Sequence, residues 1–492
     1  MARPVRVKLL SRASALARLQ AAIVERALRA AHPSLRIECL TRTSAGDQDQ
    51  TSPLWKLPDK GAFTADLSRA LLDGEADIAV HSFKDLPTEM HAGTRIAGAL
   101  PRADARDLLL IRKTAIVERP STLRILSSSP RRAWLLSESV PQLLPWSVTQ
   151  VEAVPVRGNI ETRLRKLVTG SEHGLVMAKA ALDRLLGFGA PFENDAAAVR
   201  ALLDQCRWAV LPMREFPWAP AQGALALEVA RERRDLDPII AAILCERTTT
   251  AVNQERQILE QQGGGCHQAL GAAVADKPYG RVVSIRARDR GLAVWELQGN
   301  SQAFPRTTVD RVWPRPDEGV TAARTSVVVE QPPADAFRVA RADAWPDDWS
   351  VGDNTVVWAA GTTTWRRLTT RGIWVNGCAD GLGDEEAPQV DVLAGRVLQW
   401  VNLTHDRSGR SDALATYHVD AELPDDLPAR SHFFWTSADA FLRAVERFPS
   451  IRNGWHGSGP GRTRQTIVAT VGATGRTGVW LDRESWERDV CL

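Results

Sequence analysis

Residues 76–87 read ADIAVHSFKDLP. The first part of this stretch is an apolar run as long as a strand, and its apolar centre suits a strand covered on both faces. Such strands occur in open α/β sheets, where ligands bind beyond the carboxyl ends of the strands. The stretch therefore predicts an α/β fold and places Ser82, Lys84 and Asp85 at a ligand-binding cleft.

The rest of the first 200 residues continues this pattern. Short apolar or β-branched runs alternate with longer helical patterns, which is typical of βαβ units and a mainly parallel sheet. Residues 5–10 predict a first strand, and residues 15–31 predict an amphipathic helix. A second α/β unit begins near Asp107. A proline-containing segment then crosses between the units, marked by Pro212, Pro217 and Pro220.

The chain is long enough for several domains, since 492 residues exceed the size at which a single core stops growing. We predict two lobes with a cleft, a small third α/β domain and a C-terminal α/β domain. The predicted boundaries are residues 1–105 and 205–227 for the first lobe, 106–204 for the second lobe, 228–300 for the third domain, 301–320 for a polar linker and 321–492 for the C-terminal domain.

Charge and cysteine usage exclude several classes of protein. The formal net charge of +3 argues against a general nucleic-acid binder, which usually has a strong basic excess. The six cysteines are scattered without a C-x-x-C pair, so neither a zinc site nor a disulfide framework is indicated. No run approaches the roughly 18 apolar residues of a membrane span. We expect a cytoplasmic, monomeric protein with no nucleic-acid partner, no membrane partner and no metal.

One cysteine has unusual neighbours. Residues 263–266 read GGGC, and three glycines before a thiol favour a loop that presents Cys266 to a cleft. A lone cysteine is more often a small buried hydrophobe, so this motif carries little weight by itself. Its meaning depends on the residues elsewhere in the chain that accompany it.

Arginine and hydroxyl side chains gather at predicted turns of the first half. Guanidinium groups bind carboxylates in bidentate fashion, and serine hydroxyls with helix N-terminal amides add donors. A cleft of this kind suits a polycarboxylate, whereas any one of these arginines alone fits an ordinary exposed surface residue. The segments are residues 12–14, 127–132, 157–159 and 162–163.

These segments resemble the hydroxymethylbilane synthase (porphobilinogen deaminase) family over about residues 5–300. The family's motifs occur here in order, as RASALA at 12–17, GD at 46–47, KGAF at 60–63, ADIAVHSFKDLP at 76–87, SSPRR at 128–132, RGN at 157–159, QGA at 222–224 and GGC at 264–266. The resemblance implies two lobes like those of periplasmic binding proteins and a third domain that carries the cofactor cysteine. It also implies an enzyme that joins four porphobilinogen molecules into hydroxymethylbilane.

The resemblance further implies a role for each matching residue. The catalytic residues are Asp85, Arg12, Arg157 and Arg163, with Asp85 stabilising the azafulvenium cation left by ammonia loss and relaying protons. The dipyrromethane cofactor is joined to Cys266 by a thioether and is held by Lys84, Ser14, Ser128, Ser129, Arg131, Arg132 and Asp47. Phe63 and Gln222 contact substrate. The partners are porphobilinogen and the growing polypyrrole chain.

The sequence departs from the family at three places, none of which removes a charged catalytic group. The usual glycine pair before Lys60 is residues 58–59, Pro-Asp, which puts substrate entry and turnover in doubt. Pro130 replaces a leucine before the paired arginines. The proline that commonly follows the cofactor cysteine is missing from residues 267–270.

The C-terminal part has a fainter resemblance to uroporphyrinogen-III synthase. FWTSADAF at residues 434–441 looks like that family's strand-to-helix step, and HGSGPGRT at 456–463 looks like its glycine-proline turn. The resemblance implies cyclisation of hydroxymethylbilane with inversion of the last pyrrole. The family's two domains usually occupy more chain than remains here, so a domain that only packs against the first part stays open as an alternative.

The sequence is also compatible with two further interpretations. Two α/β lobes with crossing segments also describe a non-catalytic binding protein for small anions, although such proteins have no need for a glycine-flanked cysteine. The second alternative is a pseudoenzyme that keeps the fold and the cofactor but turns over poorly because of the altered segment at Pro58 and Asp59.

Overall fold

The computed structural model describes residues 6–43, 64–263, 268–299, 304–315, 322–383, 386–472 and 475–492. The chain divides into two compact units. Unit 1 comprises Met1–Pro141, Ser147–Asp276 and Ser284–Val294, and unit 2 comprises Gln142–Trp146, Lys277–Val283 and Trp295–Leu492. Within the described ranges, no helix is both long and apolar enough to cross a membrane.

Strands and helices alternate over much of the first 200 residues, as the sequence predicts, and further elements continue to residue 298. The strands are β1 (Arg6–Arg12), β2 (Arg36–Arg42), β3 (Ile78–Ser82), β4 (Thr94–Ala99), β5 (Asp107–Arg112), β6 (Thr122–Leu126), β7 (Gln150–Val154), β8 (Gly174–Ala178), β9 (Cys206–Val210), β10 (Leu225–Ala230), β11 (Leu270–Lys277), β12 (Gly280–Ala287) and β13 (Leu292–Gln298). The helices are α1 (Ala15–Ala31), α2 (Ala65–Leu72), α3 (Lys113–Glu118), α4 (Pro130–Ser139), α5 (Ile160–Thr169), α6 (Lys179–Gly187), α7 (Glu193–Leu203), α8 (Asp237–Ala241) and α9 (Glu246–Gln261).

Lobe 1 is built on the sheet of order β2-β1-β3-β10-β4. β1 runs parallel to β2 and β3, whereas β10 runs antiparallel to β3 and β4. β3 lies in the middle of the sheet and is buried from Ile78 to His81, which confirms the strand predicted from its apolar run. Its carboxyl end leads directly into the 3₁₀ turn Phe83–Asp85.

Lobe 2 is built on the sheet of order β7-β6-β8-β5-β9. β6 runs parallel to β7 and β8, and β5 runs antiparallel to β8 and β9. The chain enters lobe 2 through residues 100–106, the first crossing, and returns to lobe 1 through residues 211–224, the return crossing. The three prolines noted in the sequence lie in this return crossing.

Local sequence signals account for the helix starts near the carboxyl ends of the strands. α1 begins after Ser14, whose Oγ accepts a hydrogen bond from the Ala17 amide at 3.3 Å. α4 begins after Ser129, with Pro130 in its first turn, and α5 begins after Asn159. Serine and asparagine satisfy amides that the first helical turn leaves unpaired, and proline is preorganised there.

A buried carboxylate fixes α9 to both crossings. Glu255 is fully buried and receives two hydrogen bonds of 2.8 Å from Arg102 of the first crossing. It also accepts hydrogen bonds from Trp218 Nε1 at 2.8 Å and the Ala221 amide at 2.7 Å, both in the return crossing, and from the Val274 amide of β11 at 2.8 Å. One side chain thus joins the helix before residues 264–267, the strand after them and the two segments that connect the lobes.

Unit 2 contains two further sheets. Its strands are β14 (Val312–Trp313), β15 (Ala322–Ser326), β16 (Ala336–Val339), β17 (Val356–Ala359), β18 (Gly377–Cys378), β19 (Trp400–His405), β20 (Ala413–Ala421), β21 (His432–Trp435), β22 (Trp455–Ser458) and β23 (Thr477–Val479). Its helices are α10 (Thr362–Thr369), α11 (Asp391–Ala394), α12 (Ala438–Arg447), α13 (Arg462–Val471) and α14 (Arg483–Val490).

The two sheets of unit 2 share the chain in an interleaved way. One sheet has the order β14-β21-β22-β23, with β21 parallel to β14 and β22. The other has the order β15-β20-β19-β16-β17-β18, and β15 is antiparallel to β20. The chain therefore leaves the first sheet after β14 and returns to it at β21.

The first strand of this arrangement falls inside the range predicted as a polar linker, residues 301–320. Val312 is fully buried and Trp313 is 6% exposed, and both pair with β21. Trp313 also packs against Trp435 with ring centroids 4.6 Å apart. The sequence does not predict this strand, because two residues are too short to show an alternating pattern, and the residues around them are polar or proline.

Candidate functional site

The predicted site residues of unit 1 follow the carboxyl ends of neighbouring strands. Lys84 and Asp85 follow β3, residues 127–132 follow β6, and residues 156–163 follow β7. Arg12 is the last residue of β1. β1 and β3 belong to the sheet of lobe 1, and β6 and β7 to the sheet of lobe 2. Because the carboxyl ends of parallel strands lie at the same edge of a sheet, each group lies at the edge of its own sheet where ligands bind in open α/β folds.

A buried ion cluster lies where the first crossing meets lobe 2. Asp107 is fully buried and accepts hydrogen bonds from Arg131 Nη2 at 2.7 Å and from Arg132 Nη2 at 2.6 Å. Burial alone would raise the pKa of Asp107, but the two guanidinium charges lower it to about 2. Asp107 is therefore ionised in the folded protein at neutral pH.

The two arginines of this cluster differ in what remains available for a ligand. Arg131 is 3% exposed and also donates to the Pro217 carbonyl at 2.8 Å, so it fastens the return crossing to lobe 2. Arg132 is 9% exposed and donates to Gln222 Oε1 at 3.3 Å. The geometry gives Arg131 a structural task, whereas Arg132 lies closer to the remaining cations.

Arg157 and Arg163 extend the positive region. Arg163 Nε donates to the Gly158 carbonyl at 2.8 Å, and burial lowers the pKa of Arg163, with further lowering by Arg132 and Arg157 and an opposing effect of Asp85. The Nη2 atom of Arg157 is buried and has no hydrogen-bond partner among the described residues. A buried guanidinium N–H without a partner is costly, so this atom is suited to an anionic oxygen.

Gly158 is required for this arrangement. Its φ is +118°, and a Cβ there would lie 2.7 Å from Thr162 Cγ2 at the start of α5. Asn159 follows and accepts from the Thr162 amide at 2.8 Å. The glycine thus permits the tight turn between Arg157 and the helix that carries Arg163.

Lys84 is half-buried and its Nζ donates to Gln222 Oε1 at 3.2 Å. Burial lowers the pKa of Lys84 to about 8, with a further lowering by Arg132 and opposing effects of Asp85 and Asp107. Lys84 is therefore mostly cationic at pH 7 and loses its charge in the range just above. Its ammonium and the guanidinium of Arg132 both donate to Gln222 Oε1.

Asp85 is exposed, and among the described residues it makes no hydrogen bond or ion pair. The sequence offered an alternative role for it as a helix N-cap before Leu86 and Pro87. That alternative is wrong, because residues 86–93 contain no helix. Asp85 is left as a carboxylate that faces solvent within the field of Arg163 and Lys84.

The serines have unequal capacity to bind a ligand. Ser14 and Ser129 accept helix-start amides and retain a hydroxyl proton to donate. Ser128 Oγ donates to the Val156 carbonyl at 2.7 Å and accepts from the Val156 amide at 2.9 Å. Its hydroxyl proton is thus already used to join the segments after β6 and β7, which makes Ser128 a structural residue in this structure.

Gln222 also differs from its predicted role as a substrate contact. It is fully buried, and its side-chain amide is bonded to Lys84, Arg132, Asp107 and the Ala105 carbonyl. A side chain with no exposed surface and filled hydrogen-bonding capacity does not meet substrate directly. Asp47, Phe63 and Cys266 lie outside the described residues.

Sequence reasoning missed Asp107, Glu255 and Arg102 as residues that organise the site. A signal was present for Asp107, since it directly precedes the apolar run Leu108–Ile111 and a carboxylate at the start of a buried strand needs a cationic partner. Glu255 lies in a polar helix and carried no such signal. In the described ranges, no group of three or more His, Cys, Asp or Glu residues is placed to hold a metal ion.

Comparison with known proteins agrees with this geometry. Residues 7–237 match the family described as "porphobilinogen deaminase, dipyromethane cofactor binding domain". The porphobilinogen deaminase of Bordetella parapertussis is 35% identical over 304 residues, which cover 59% of this chain and 89% of that protein. The porphobilinogen deaminase of Burkholderia thailandensis is 34% identical over 301 residues, covering 58% and 84% respectively.

The Asp107 cluster generates a stability prediction. Asp107→Asn leaves two buried guanidinium groups without a carboxylate, and we expect unit 1 to lose about 3 kcal/mol of stability at pH 7. The measurement is the thermal unfolding midpoint by calorimetry, with exposed Asp289→Asn as the matched control. An unchanged midpoint for Asp107→Asn would contradict the assigned role.

The same variant has a defined pH dependence. The pKa of Asp107 is about 2 when folded, below roughly 4 for an unfolded aspartate. The stabilisation by its charge is therefore fully present above about pH 4 and is lost as the pH falls towards 2. The difference in midpoint between the wild type and Asp107→Asn should be constant from pH 7 to 5 and narrow below about pH 4.

Proposed function

The chain belongs to the porphobilinogen deaminase family, and from that premise we propose which of its residues carry out the family's reaction. The reaction joins four porphobilinogen molecules head to tail on a dipyrromethane cofactor, releases ammonia at each addition and yields hydroxymethylbilane for tetrapyrrole biosynthesis. Each porphobilinogen carries an acetate and a propionate. The site must therefore hold many carboxylates while it moves protons at the reacting carbons.

The observation that carries the residue assignment is the buried Nη2 of Arg157, which has no hydrogen-bond partner among the described residues. The charges of Arg157 and Arg132 both act on Arg163. Asp107 neutralises part of the charge of Arg131 and Arg132, which leaves Arg157, Arg163 and Lys84 as the cations without a carboxylate within ion-pair distance among the described residues. Planar guanidinium groups suit carboxylates in bidentate geometry. We assign these three residues, with Arg12 and Arg132, to the carboxylates of substrate and growing chain.

The donor set also fits the dipyrromethane cofactor. Its acetate and propionate groups match the cationic and hydroxyl donors of Lys84, Arg132, Ser14 and Ser129, and the buried guanidinium N–H of Arg157 provides a place for an anionic oxygen. When bound, dipyrromethane supplies the pyrrole end from which the chain is extended. We propose Cys266 as its covalent attachment point, with Asp47 as a further contact and Phe63 against a substrate ring.

We assign the proton chemistry to Asp85. Loss of ammonia from porphobilinogen breaks a carbon–nitrogen bond and leaves an azafulvenium cation, and a carboxylate near the pyrrole nitrogen stabilises that positive charge. After the new carbon–carbon bond forms, the ring carbon of the terminal pyrrole that made the bond must lose its proton, and we assign the relay of this proton to Asp85. The cations that interact electrostatically with Asp85 are Lys84 and Arg163.

Replacing Asp85 tests this assignment. Asp85→Asn keeps the size of the side chain but removes the charge and the proton acceptor, so we expect bilane formation to fall about 100-fold or more. The rate is measured from porphobilinogen consumption, with exposed Asp73→Asn in the same lobe as the control. Unchanged turnover in Asp85→Asn would remove the proton-relay role.

The attachment at Cys266 is tested by mass. The denatured protein should carry an adduct of two pyrrole units, and peptide mapping should place the adduct on Cys266, because a thioether survives denaturation. Cys266→Ala should lack both the adduct and the activity. Cys39→Ser, which removes an exposed cysteine, should retain both. An unmodified Cys266 in protein exposed to porphobilinogen would contradict the assignment.

For the C-terminal part, we propose uroporphyrinogen-III synthase activity. The support is that unit 2 contains two sheets and that the chain crosses between them twice, so two α/β parts fit into the residues that follow unit 1. The two segments that resemble the family lie at strand-to-helix steps, between β21 and α12 and between β22 and α13. Ser437 N-caps α12, and Gly461 has a φ of +97° just before α13.

The isomer of the product tests this activity. Given porphobilinogen, the full chain should form type III uroporphyrinogen, analysed by chromatography after oxidation to the porphyrin. Hydroxymethylbilane that leaves an enzyme without cyclisation closes spontaneously to the type I isomer. Type I alone would contradict the proposal and leave the C-terminal part with a structural role.

We also propose that the protein acts as a cytoplasmic monomer without nucleic-acid or membrane partners. The support is the modest formal charge and the thiol state of the described cysteines Cys39, Cys206, Cys245 and Cys491. Such cysteine usage suits a reducing compartment.

A further inference from the structure

Gln222 lies in the return crossing, at the point where both lobes and the first crossing approach one another. Its side chain is fully buried. Nε2 donates to the Ala105 carbonyl at 2.7 Å and to Asp107 Oδ1 at 3.0 Å. Oε1 accepts from Lys84 Nζ at 3.2 Å and from Arg132 Nη2 at 3.3 Å. The amide therefore uses both its donors and both lone pairs of its oxygen.

These partners fix the orientation of the amide. Lys84 and Arg132 are donors only, so they require an oxygen opposite them. The Ala105 carbonyl and the ionised Asp107 are acceptors only, so they require the NH₂ group. If the amide were flipped, its NH₂ group would face the donors Lys84 and Arg132, and its oxygen would face the acceptors Asp107 and the Ala105 carbonyl. Only the observed orientation therefore satisfies all four partners.

The turn that carries Gln222 is held in place independently of its side chain. Ala221 has a φ of +65°, an uncommon conformation for a residue with a Cβ, and its amide donates to Glu255 at 2.7 Å. Gly223 has a φ of +81°, and a Cβ there would lie 2.7 Å from the Ala103 carbonyl. Arg102 Nε donates to the Gln222 carbonyl at 2.8 Å. The backbone conformation therefore fixes the position of the Gln222 side chain.

The amide connects cations from different lobes. Lys84 follows β3 of lobe 1, and Arg132 lies in the first turn of α4 of lobe 2. Two cations repel each other, but a shared carbonyl oxygen offers each one a hydrogen bond. Within the described part of the chain, Gln222 supplies the only hydrogen bond to Lys84 Nζ. The position of this ammonium thus depends on Gln222.

We propose that Gln222 is a positioning residue that holds Lys84 and Arg132 side by side, so that cations of both lobes act as one carboxylate-binding site. The inference rests on the proposed role of Lys84 in carboxylate binding and deepens it. Gln222 itself is fully buried and does not contact substrate. It acts through the placement and charge of Lys84.

A neutral amide suits this position better than a carboxylate. Glutamate would place a negative charge next to Asp107, which lies 3.0 Å from the present Nε2, and would neutralise part of the positive charge needed for ligand carboxylates. Methionine has a similar length but no donor, and its sulfur is only a weak acceptor. The two substitutions therefore perturb Lys84 in opposite directions.

The charged groups that face Lys84 are Arg131, Arg132, Asp85 and Asp107. In the wild type these groups and burial give Lys84 a pKa of about 8. The Gln222 oxygen favours the charged form, so its loss in Gln222→Met should lower the pKa of Lys84. The added carboxylate of Gln222→Glu should raise it.

The test is the pH dependence of kcat/KM for porphobilinogen in the holoenzyme. A cation that binds carboxylates is active below its pKa. The protein groups alone give Lys84 a pKa of about 8, and the cofactor carboxylates raise it further, so kcat/KM should decline as the pH rises above about 8. Lys84→Arg assigns this decline, because arginine keeps its charge and should remove it. If Lys84→Arg keeps the decline at the same pH, the role of Lys84 fails, and the inference fails with it.

With that assignment made, the Gln222 variants test the inference itself. The inflection should move to lower pH by about one unit in Gln222→Met and to higher pH by a similar amount in Gln222→Glu. At pH 7, kcat/KM of Gln222→Met should fall about tenfold through KM, with kcat less affected. Gln205→Met, at an exposed glutamine before β9, is the matched control and should match the wild type.

General damage to the fold is distinguished by the direction of the shifts. Calorimetry shows how far each variant is destabilised, but loss of stability alone does not move an inflection in opposite directions in two variants. Inflections that stay at the wild-type pH in both Gln222 variants, while Lys84→Arg abolishes the inflection, would overturn the positioning role and leave the proposed role of Lys84 intact.

Discussion

The burial of Asp107 between Arg131 and Arg132 is the constraint on which the site depends. A carboxylate with no exposed surface must be paired, and the two guanidinium groups pair it from the first turn of one helix. Arg131 also holds the Pro217 carbonyl of the return crossing. The same ion cluster therefore anchors the crossing between the lobes and places Arg132 at the edge of the cleft.

A second buried carboxylate, Glu255 of α9, joins the elements on either side of residues 264–267 to the lobe connections. It accepts hydrogen bonds from Arg102 of the first crossing, from Trp218 and Ala221 of the return crossing and from the Val274 amide of β11. Both α9 and β11 are therefore fixed to the crossings through one side chain.

The site separates charges that hold the protein together from charges that are available to ligands. Arg131 and Arg132 both form ion pairs with Asp107. Arg157, by contrast, has a buried N–H donor without a partner among the described residues. The hydrogen-bond partner of Lys84 among these residues is the neutral side-chain amide of Gln222. This division leaves a local group of cations in a chain whose formal charge is nearly balanced. It also shows that an arginine in the sequence cluster can be engaged within the protein, as Arg131 is with Asp107 and the Pro217 carbonyl.

The sequence by itself determined the α/β pattern of unit 1, the buried strand before Lys84 and Asp85, the helix from Ala15 to Ala31 and the grouping of cations at strand ends. These features follow from local periodicity and capping, which neighbouring residues encode. Only the tertiary structure decided the partners of Asp107, Glu255 and Gln222, the engagement of Ser128, and the short strand at Val312–Trp313. Each of these depends on groups far apart in the chain, since burial and hydrogen-bond pairing are set by which segments meet in space.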